Sequence, residues 1–326
     1  MLGAALALFA APGGVSAQPA SDCAKAKTAT EKAICATPEL AAADAAMSTA
    51  YTALAKTLPP AQQTGLQANQ RRWLKERDTA CMEGKGDAPT GCLLAETLKR
   101  RRFLSGQGAN GAAGAPPLLP AFYNEMRKGA YEISAAYPQF APPVGARFDR
   151  VVRDLTIGQS TLAEYRQDKP NEFNGSSNFY QVSYDLSYLA PRLAAVTFQF
   201  ADYRGGAHPN SWRASVLWNP ASDEKVTLGE ILGDPKAAVP AISALCNGKL
   251  SVEAKEEGWR LFDNADFAAV VGDAKSWSVG ADGVAVMFDP YSVAAYVVGP
   301  RDCRLTYAEL KPWLKPGGVL PPGAGH

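Results

Sequence analysis

Six cysteines constrain this chain more than any other feature. Cys23, Cys35, Cys81 and Cys92 fall before residue 93, and Cys246 and Cys303 fall after residue 245. An even number at each end, four and two, suits disulfides formed inside separate domains, in an oxidising compartment. A structural zinc site would need Cys pairs two to four residues apart or neighbouring histidines. The spacings are 12, 46, 11, 154 and 57 residues, so no metal is expected. The length, 326 residues, leaves room for two domains.

The segment before the first cysteine agrees with export. Leu2–Ala11 is a short apolar run, and Val15-Ser16-Ala17 places small residues ahead of a cleavage point at Gln18. Residues 1–17 therefore read as a signal peptide, too short to span a bilayer, although no Lys or Arg precedes the run. The chain after it has no second apolar run of spanning length, so no transmembrane segment is expected. A periplasmic or secreted location follows. The formal charge of +1 offers no electrostatic case for nucleic acid.

The first domain, 18–104, reads as helical. Thr37, Pro38 and Glu39 form a helix start. Leu40, Asp44, Met47, Tyr51, Leu54 and Leu58 then recur along one helical stripe. Pro59-Pro60 ends that helix, and a second covers about 61–81 with Gln70, Trp73, Arg77 and Cys81 on one face. A third runs from Cys92 to Leu104. Two helices joined by so short a turn pack antiparallel. That brings Cys35 to Cys81 and leaves Cys23 for Cys92. Asp44, a carboxylate on an apolar stripe, needs a cationic partner. Arg77 or Arg72 supplies it, and Asp44–Arg77 is expected as a structural pair.

These residues carry a resemblance. Asp22-Cys23-Ala24-Lys25-Ala26, Glu31-Lys32-Ala33-Ile34-Cys35, Pro38-Glu39-Leu40, Asp44, Tyr51, Gln70-Arg71-Arg72-Trp73-Leu74, Arg77-Asp78, Cys81 and Cys92-Leu93 resemble the N-terminal domain of the lysozyme inhibitor LprI family. The resemblance implies a small disulfide-linked helical domain of the cell envelope.

Residues 105–120, rich in Gly, Ala and Pro, read as a flexible linker between domains. Thirteen Lys and Arg against nine Asp and Glu precede it, a charge of +4; twenty against twenty-three follow it, a charge of −3. In the second domain, 121–316, Tyr131–Phe140, Tyr180–Leu189, Leu193–Phe200 and Trp212–Trp218 read as strands. Asn174-Gly175-Ser176-Ser177 is a turn. Ala281-Asp282-Gly283 joins a hairpin of Trp277–Gly280 and Val284–Phe288. Arg304–Thr306 is a short strand and Tyr307–Leu314 a closing helix. Helical spacing covers 145–166, 235–247 and 253–271. Hairpins with segregated helices indicate α+β with an antiparallel sheet, tied by Cys246–Cys303. Residues 317–326 read as a disordered tail.

Between two of these strands lies Tyr203-Arg204-Gly205-Gly206-Ala207-His208-Pro209-Asn210, which holds the sole histidine before the terminal His326. Catalysis through His208 would need a nucleophile in a recognisable setting. Ser211 and Asp202 are close in sequence, but G-x-S-x-G is absent. One histidine does not make a His-rich metal site, and Gly205-Gly206 is too short a glycine signal for phosphate. The plainer reading is a tight turn at Gly205-Gly206 with His208 hydrogen-bonded to backbone. No cofactor and no catalytic residue are assigned.

A second resemblance lies in this half. Gly205-Gly206-Ala207-His208, Val284-Ala285-Val286-Met287-Phe288-Asp289-Pro290-Tyr291, Ala295-Tyr296 and Gly299-Pro300, with Tyr131–Ser134 and Tyr137-Pro138-Gln139, look like the C-terminal domain of the lysozyme-binding anti-sigma factor RsiV. That domain also accompanies a peptidoglycan deacetylase, outside its catalytic module. Where that family often has Glu after Pro-Tyr, this chain has Ser292, so no carboxylate role is carried to that position. Together the resemblances imply a non-catalytic periplasmic binding protein whose partner is lysozyme or peptidoglycan. Tyr203, His208, Asn210, Tyr291 and Tyr296 are its candidate contacts. The alternatives are an enzyme acting on cell-wall glycan and an envelope scaffold with another partner.

Overall fold

The computed structural model describes residues 23–82, 89–141, 144–167, 169 and 178–321. The expected signal peptide, the Asn174–Ser177 turn and residues 322–326 lie outside the described residues. The rest forms two compact units. One runs to Thr57 and takes in Lys75–Arg101; the other comprises Leu58–Leu74 and everything from Arg102 onward. Among the described residues no helix is long and apolar enough to cross a membrane.

The first unit contains α1 (Ala29–Ala36), α2 (Pro38–Thr57), the second part of α3 (Pro60–Met82) and most of α4 (Pro89–Leu104). A capping box starts α1. Thr28 Oγ1 accepts from Glu31 N at 3.1 Å, and Glu31 accepts from Thr28 N at 2.9 Å. Ile34, Leu40, Cys81 and Leu93 share a small buried core. The start of α2 therefore does meet the end of α3, as an antiparallel hairpin requires.

The disulfides within this arrangement correct the expected pairing. Cys23 joins Cys35 and Cys81 joins Cys92, in place of Cys35–Cys81 and Cys23–Cys92. Cys35 lies in the last turn of α1, and the chain before that helix folds back alongside it. Cys81 and Cys92 occupy facing ends of consecutive helices. Each cysteine bonds the one nearest to it in the chain, 12 and 11 residues away. Each bridge closes a short loop, worth roughly 3 kcal/mol. Cys246–Cys303 is as expected.

Asp44 and Arg77 are both buried in this unit. Burial raises the Asp44 carboxyl above its ordinary value, and the nearby Arg77 charge opposes that rise. Arg77 also donates from Nε and Nη2 to Asp78, at 3.0 and 2.9 Å. Arg72, the other expected partner, donates to Ser134 in the second unit, of which it is part.

The second unit is built on a sheet ordered β2 (Leu118–Arg127), β3 (Tyr131–Phe140), β4 (Asn178–Ala190), β5 (Leu193–Tyr203), β6 (Asn210–Asn219) and β7 (Glu224–Lys225). A short β1 (Asn110–Gly111) also pairs with β4. The alternation along β4 turns Tyr180, Val182, Tyr184 and Leu186 inward and leaves Gln181 and Asp185 half-buried. The expected antiparallel sheet is mixed. β3 and β4 run parallel, as do β1 and β4. The β3–β4 connection carries α5 (Ala146–Ile157) and α6 (Gln159–Arg166), and a helical crossover is what a parallel neighbour requires.

Residues 105–120 are not a free linker. Ala109 N and Ala112 N donate to Leu186 O and Leu189 O on the edge of β4, at 2.8 and 3.1 Å. Leu118–Pro120 already belong to β2. The glycine content serves close approach: at Gly111, φ is 154°, and a Cβ would sit 1.9 Å from Leu189 O.

Beyond β7 come α7 (Leu228–Ile231), α8 (Pro235–Glu257) and α9 (Phe267–Val271), then the second sheet, β10–β9–β8, from β8 (Trp277–Val279), β9 (Gly283–Phe288) and β10 (Arg301–Thr306), and last α10 (Tyr307–Leu310). The expected 253–271 helix is interrupted. Gly258, at φ 76°, ends α8 in the left-handed conformation. Trp277, Val286, Phe288, Ile242, Leu250 and the Cys246–Cys303 bridge share one core. Val319 and Leu320 pack against that core, so the expected disordered tail is held in place at least through this part.

A polar cluster ties α6 to the sheet. Glu125 on β2 accepts from Tyr131 at 2.7 Å, from Tyr123, and from Arg166 Nε and Nη2 at 3.0 and 2.7 Å. Chiefly through the Arg166 bond, the Glu125 carboxyl is held down to about 2, from 4.5.

Two outcomes follow from this fold. Non-reducing peptide mapping should recover the pairs Cys23–Cys35 and Cys81–Cys92; a fragment linking Cys35 to Cys81 would contradict the structure. The Glu125 contribution is complete above about pH 4.5 and is lost as pH falls towards 2. Glu125→Gln should therefore cost about 1–2 kcal/mol at pH 7. Thermal melts should show that deficit shrinking below pH 4.

Candidate functional site

The β5–β6 connection is a tight turn because glycine permits it. Gly205 and Gly206 have φ of 98° and 111°, a region that side chains disfavour. At Gly206 a Cβ would meet nothing within 4 Å, so its requirement is conformational alone. Tyr203 Oη donates to Gly206 O at 3.0 Å and closes the turn, and its ring stacks on Phe179. Beyond the turn His208 is exposed. Its Nδ1 lies 2.9 Å from Pro209 O, the distance of a backbone hydrogen bond donated by the Nδ1–H form.

The His208 ring lies on the face of Tyr296, with centroids 3.7 Å apart and planes at 15°. Tyr296 Oη donates to Pro209 O at 2.5 Å, so the same tyrosine holds both the imidazole and the backbone beside it. Tyr291 adds a third ring, 5.4 Å from Tyr296 and 60% exposed. Val297, 91% exposed, lies next to Tyr296 in the chain. The structure thus brings three of the five expected contacts into one aromatic cluster. Such an array offers ring faces and a polar rim to a partner.

The other two face elsewhere. Asn210 Nδ2 donates to Asp202 Oδ1 at 3.0 Å, and Tyr165 donates to Asp202 Oδ2 at 2.8 Å. Burial first, and then this bond, pushes the Tyr165 hydroxyl far above its ordinary value. Asn210 therefore secures the base of the loop. Tyr203, half-buried against Phe179, does the same on the opposite sheet face.

The segment carrying Tyr291 and Tyr296 is anchored on both sides of the rings. Ser292 N and Oγ both donate to Asp289 O, closing a turn around Pro290-Tyr291. Pro at the second position and a positive φ at the third are type II features, yet the third residue is Tyr291, at φ 69°. Val293 and Ala294 are buried, and Val293 O accepts from Phe262 N at 2.8 Å.

Sequence reasoning missed Arg213. On β6 its backbone N and Nε donate to Asp289 at 3.0 and 3.1 Å, Nη1 to Asp302 at 2.6 Å, and Nη2 to Phe288 O and Arg301 O at 3.0 and 3.2 Å. The available signal was a cation between Trp212 and Ala214 in a strand, with Asp289 just before the Pro-Tyr pair.

Comparison with known proteins adds two matches. Residues 22–104 match the family model described as Lysozyme inhibitor LprI. Residues 230–308 match the one described as Protein of unknown function (DUF3298); that span includes Tyr291 and Tyr296 and stops short of the 203–210 loop. Among solved structures the chain is similar to a DUF3298 family protein from Pseudomonas aeruginosa PAO1, at 17% identity over 64% of this chain and 99% of that one, with a TM-score of 0.46. It is also similar to a DUF3298 family member from Bacteroides fragilis NCTC 9343, at 15% identity over 62% and 95%, with a TM-score of 0.43. No curated protein matches. The second family description says nothing of RsiV, so that resemblance rests on the residues quoted for it.

Tyr296→Ala should release the loop and leave the fold intact. Amide hydrogen exchange should accelerate in residues 204–210, with a loss of about 1 kcal/mol or less in global stability. Unchanged exchange there would show that the ring stack does not hold the loop.

Proposed function

We propose that this chain is an exported, non-catalytic binding protein of the cell envelope whose target is lysozyme or peptidoglycan. The observation that carries the reading is the match of residues 22–104 to the lysozyme inhibitor LprI family. The cysteine chemistry supports export: all six cysteines are paired in disulfides, as an oxidising compartment favours.

The contact surface we assign is the cluster of His208, Tyr291 and Tyr296. Exposed aromatic rings on anchored backbone are the usual material of binding hot spots. The imidazole of His208 gives one face to Tyr296 and one nitrogen to a carbonyl, and Asp202 is engaged by Tyr165 and Asn210. Those engagements favour a contact role over acid–base work. The −3 charge of the half after residue 120 favours a basic partner.

The test is lysozyme turnover of a cell-wall suspension with added mature chain, paired with calorimetry. Inhibition or a measurable complex supports the reading, and Tyr291→Ala should then weaken the complex by roughly 2 kcal/mol. Absence of both inhibition and complex, with both lysozyme and peptidoglycan, removes it. Release of new glycan products from peptidoglycan by the chain alone, read by mass spectrometry and lost in His208→Ala, would establish the enzyme reading instead.

A further inference from the structure

We infer that Arg213 is a positioning residue that sets the geometry of the aromatic contact surface, a role that rests on the binding reading above. The surface is made by two segments distant in sequence, the 203–210 loop and residues 289–298. Where they meet, a ring stack and the Tyr296–Pro209 hydrogen bond join them. Contacts that open to solvent do not by themselves hold two loops in one arrangement.

Arg213 supplies the missing constraint from beneath. It lies on β6 shortly after the loop, and its side chain is only 17% exposed. Its backbone N–H and Nε bind the two oxygens of the Asp289 carboxylate, which fixes the first residue of the Tyr291 turn relative to β6. Its Nη2 reaches both Phe288 O and Arg301 O. Those residues are register partners at the end of the β9–β10 ladder, so the guanidinium caps that ladder where the turn leaves it. Nη1 takes Asp302 from the neighbouring strand. One planar fork thus reads two carboxylates and two carbonyls at once. A lysine ammonium, a single point donor, does not reproduce that pattern.

The consequence concerns the rings. With Asp289 fixed, its carbonyl holds Ser292, and Tyr291 is kept in its left-handed conformation beside Tyr296. With β6 fixed to the same carboxylate, His208 is delivered to Tyr296. Loss of Arg213 should separate the two segments without dissolving either sheet.

The experiment reads the His208 imidazole by proton NMR. The chain has two histidines, so the resonances are readily assigned. In the wild type, stacking on Tyr296 should shift the His208 ring protons upfield, and Tyr296→Ala should abolish that shift. In Arg213→Lys, with unchanged circular dichroism and disulfide map, the shift should collapse towards the Tyr296→Ala value. Affinity for lysozyme should fall about tenfold, or ~1.4 kcal/mol. If Arg213→Lys does not fold, Asp289→Asn provides the same comparison, since it keeps an acceptor oxygen and removes the charge. A folded variant whose His208 shift is unaltered overturns the inference, whatever its affinity. A collapsed shift in a protein that binds no lysozyme supports the positioning role while removing the partner reading.

Discussion

The second unit depends on the hydrogen-bonding demand of β4. Its thirteen residues run through the middle of the sheet, and buried backbone groups there must find partners on both edges. β5 satisfies one edge along almost its whole length. The other edge is shared: β3 serves residues 178–182, and the short β1 serves Tyr188 and Leu189. The chain meets this demand with two quite different segments, a strand reached through two helices and a glycine-rich stretch laid against the strand's end.

This division explains what could and could not be read from the residues. β4 and β5 were legible because their alternation is local, and Ala281-Asp282-Gly283 marked its hairpin for the same reason. The parallel pairing of β3 with β4 was not legible, because alternation within a strand is silent on the direction of its neighbour. Residues 105–120 misled because composition records conformational freedom and not its use. At Gly111 the absence of a side chain admits the Leu189 carbonyl, and the same absence elsewhere would mean a loose tether. The disulfides misled in a related way. Helix packing correctly brought the start of α2 to the end of α3, where Leu40 and Cys81 share a core, yet helix direction does not decide which cysteine each sulfur bonds.

The candidate site shows a similar boundary. His208 and the two tyrosines could be proposed from resemblance, and the turn at Gly205-Gly206 from the glycines themselves. That His208 lies flat on Tyr296 could not, because 88 residues separate them and no local pattern joins them. Asn210 and Tyr203, equally good candidates by type and position, serve the loop's own construction. A polar or aromatic residue in a tight loop has first to satisfy that loop, and only what remains outward is available to a partner.

Tyr291 shows where this chain has given up stability. A tyrosine at φ 69° occupies a backbone region in which glycine or asparagine would rest more comfortably, at a strain of about 1–3 kcal/mol. A sequence optimised for melting temperature alone would replace it and lose a ring that is mostly in water. Attempts to make the protein more robust by consensus or computation will therefore be drawn to this position. The variant they favour there would be sturdier and would present one exposed aromatic ring fewer to solvent.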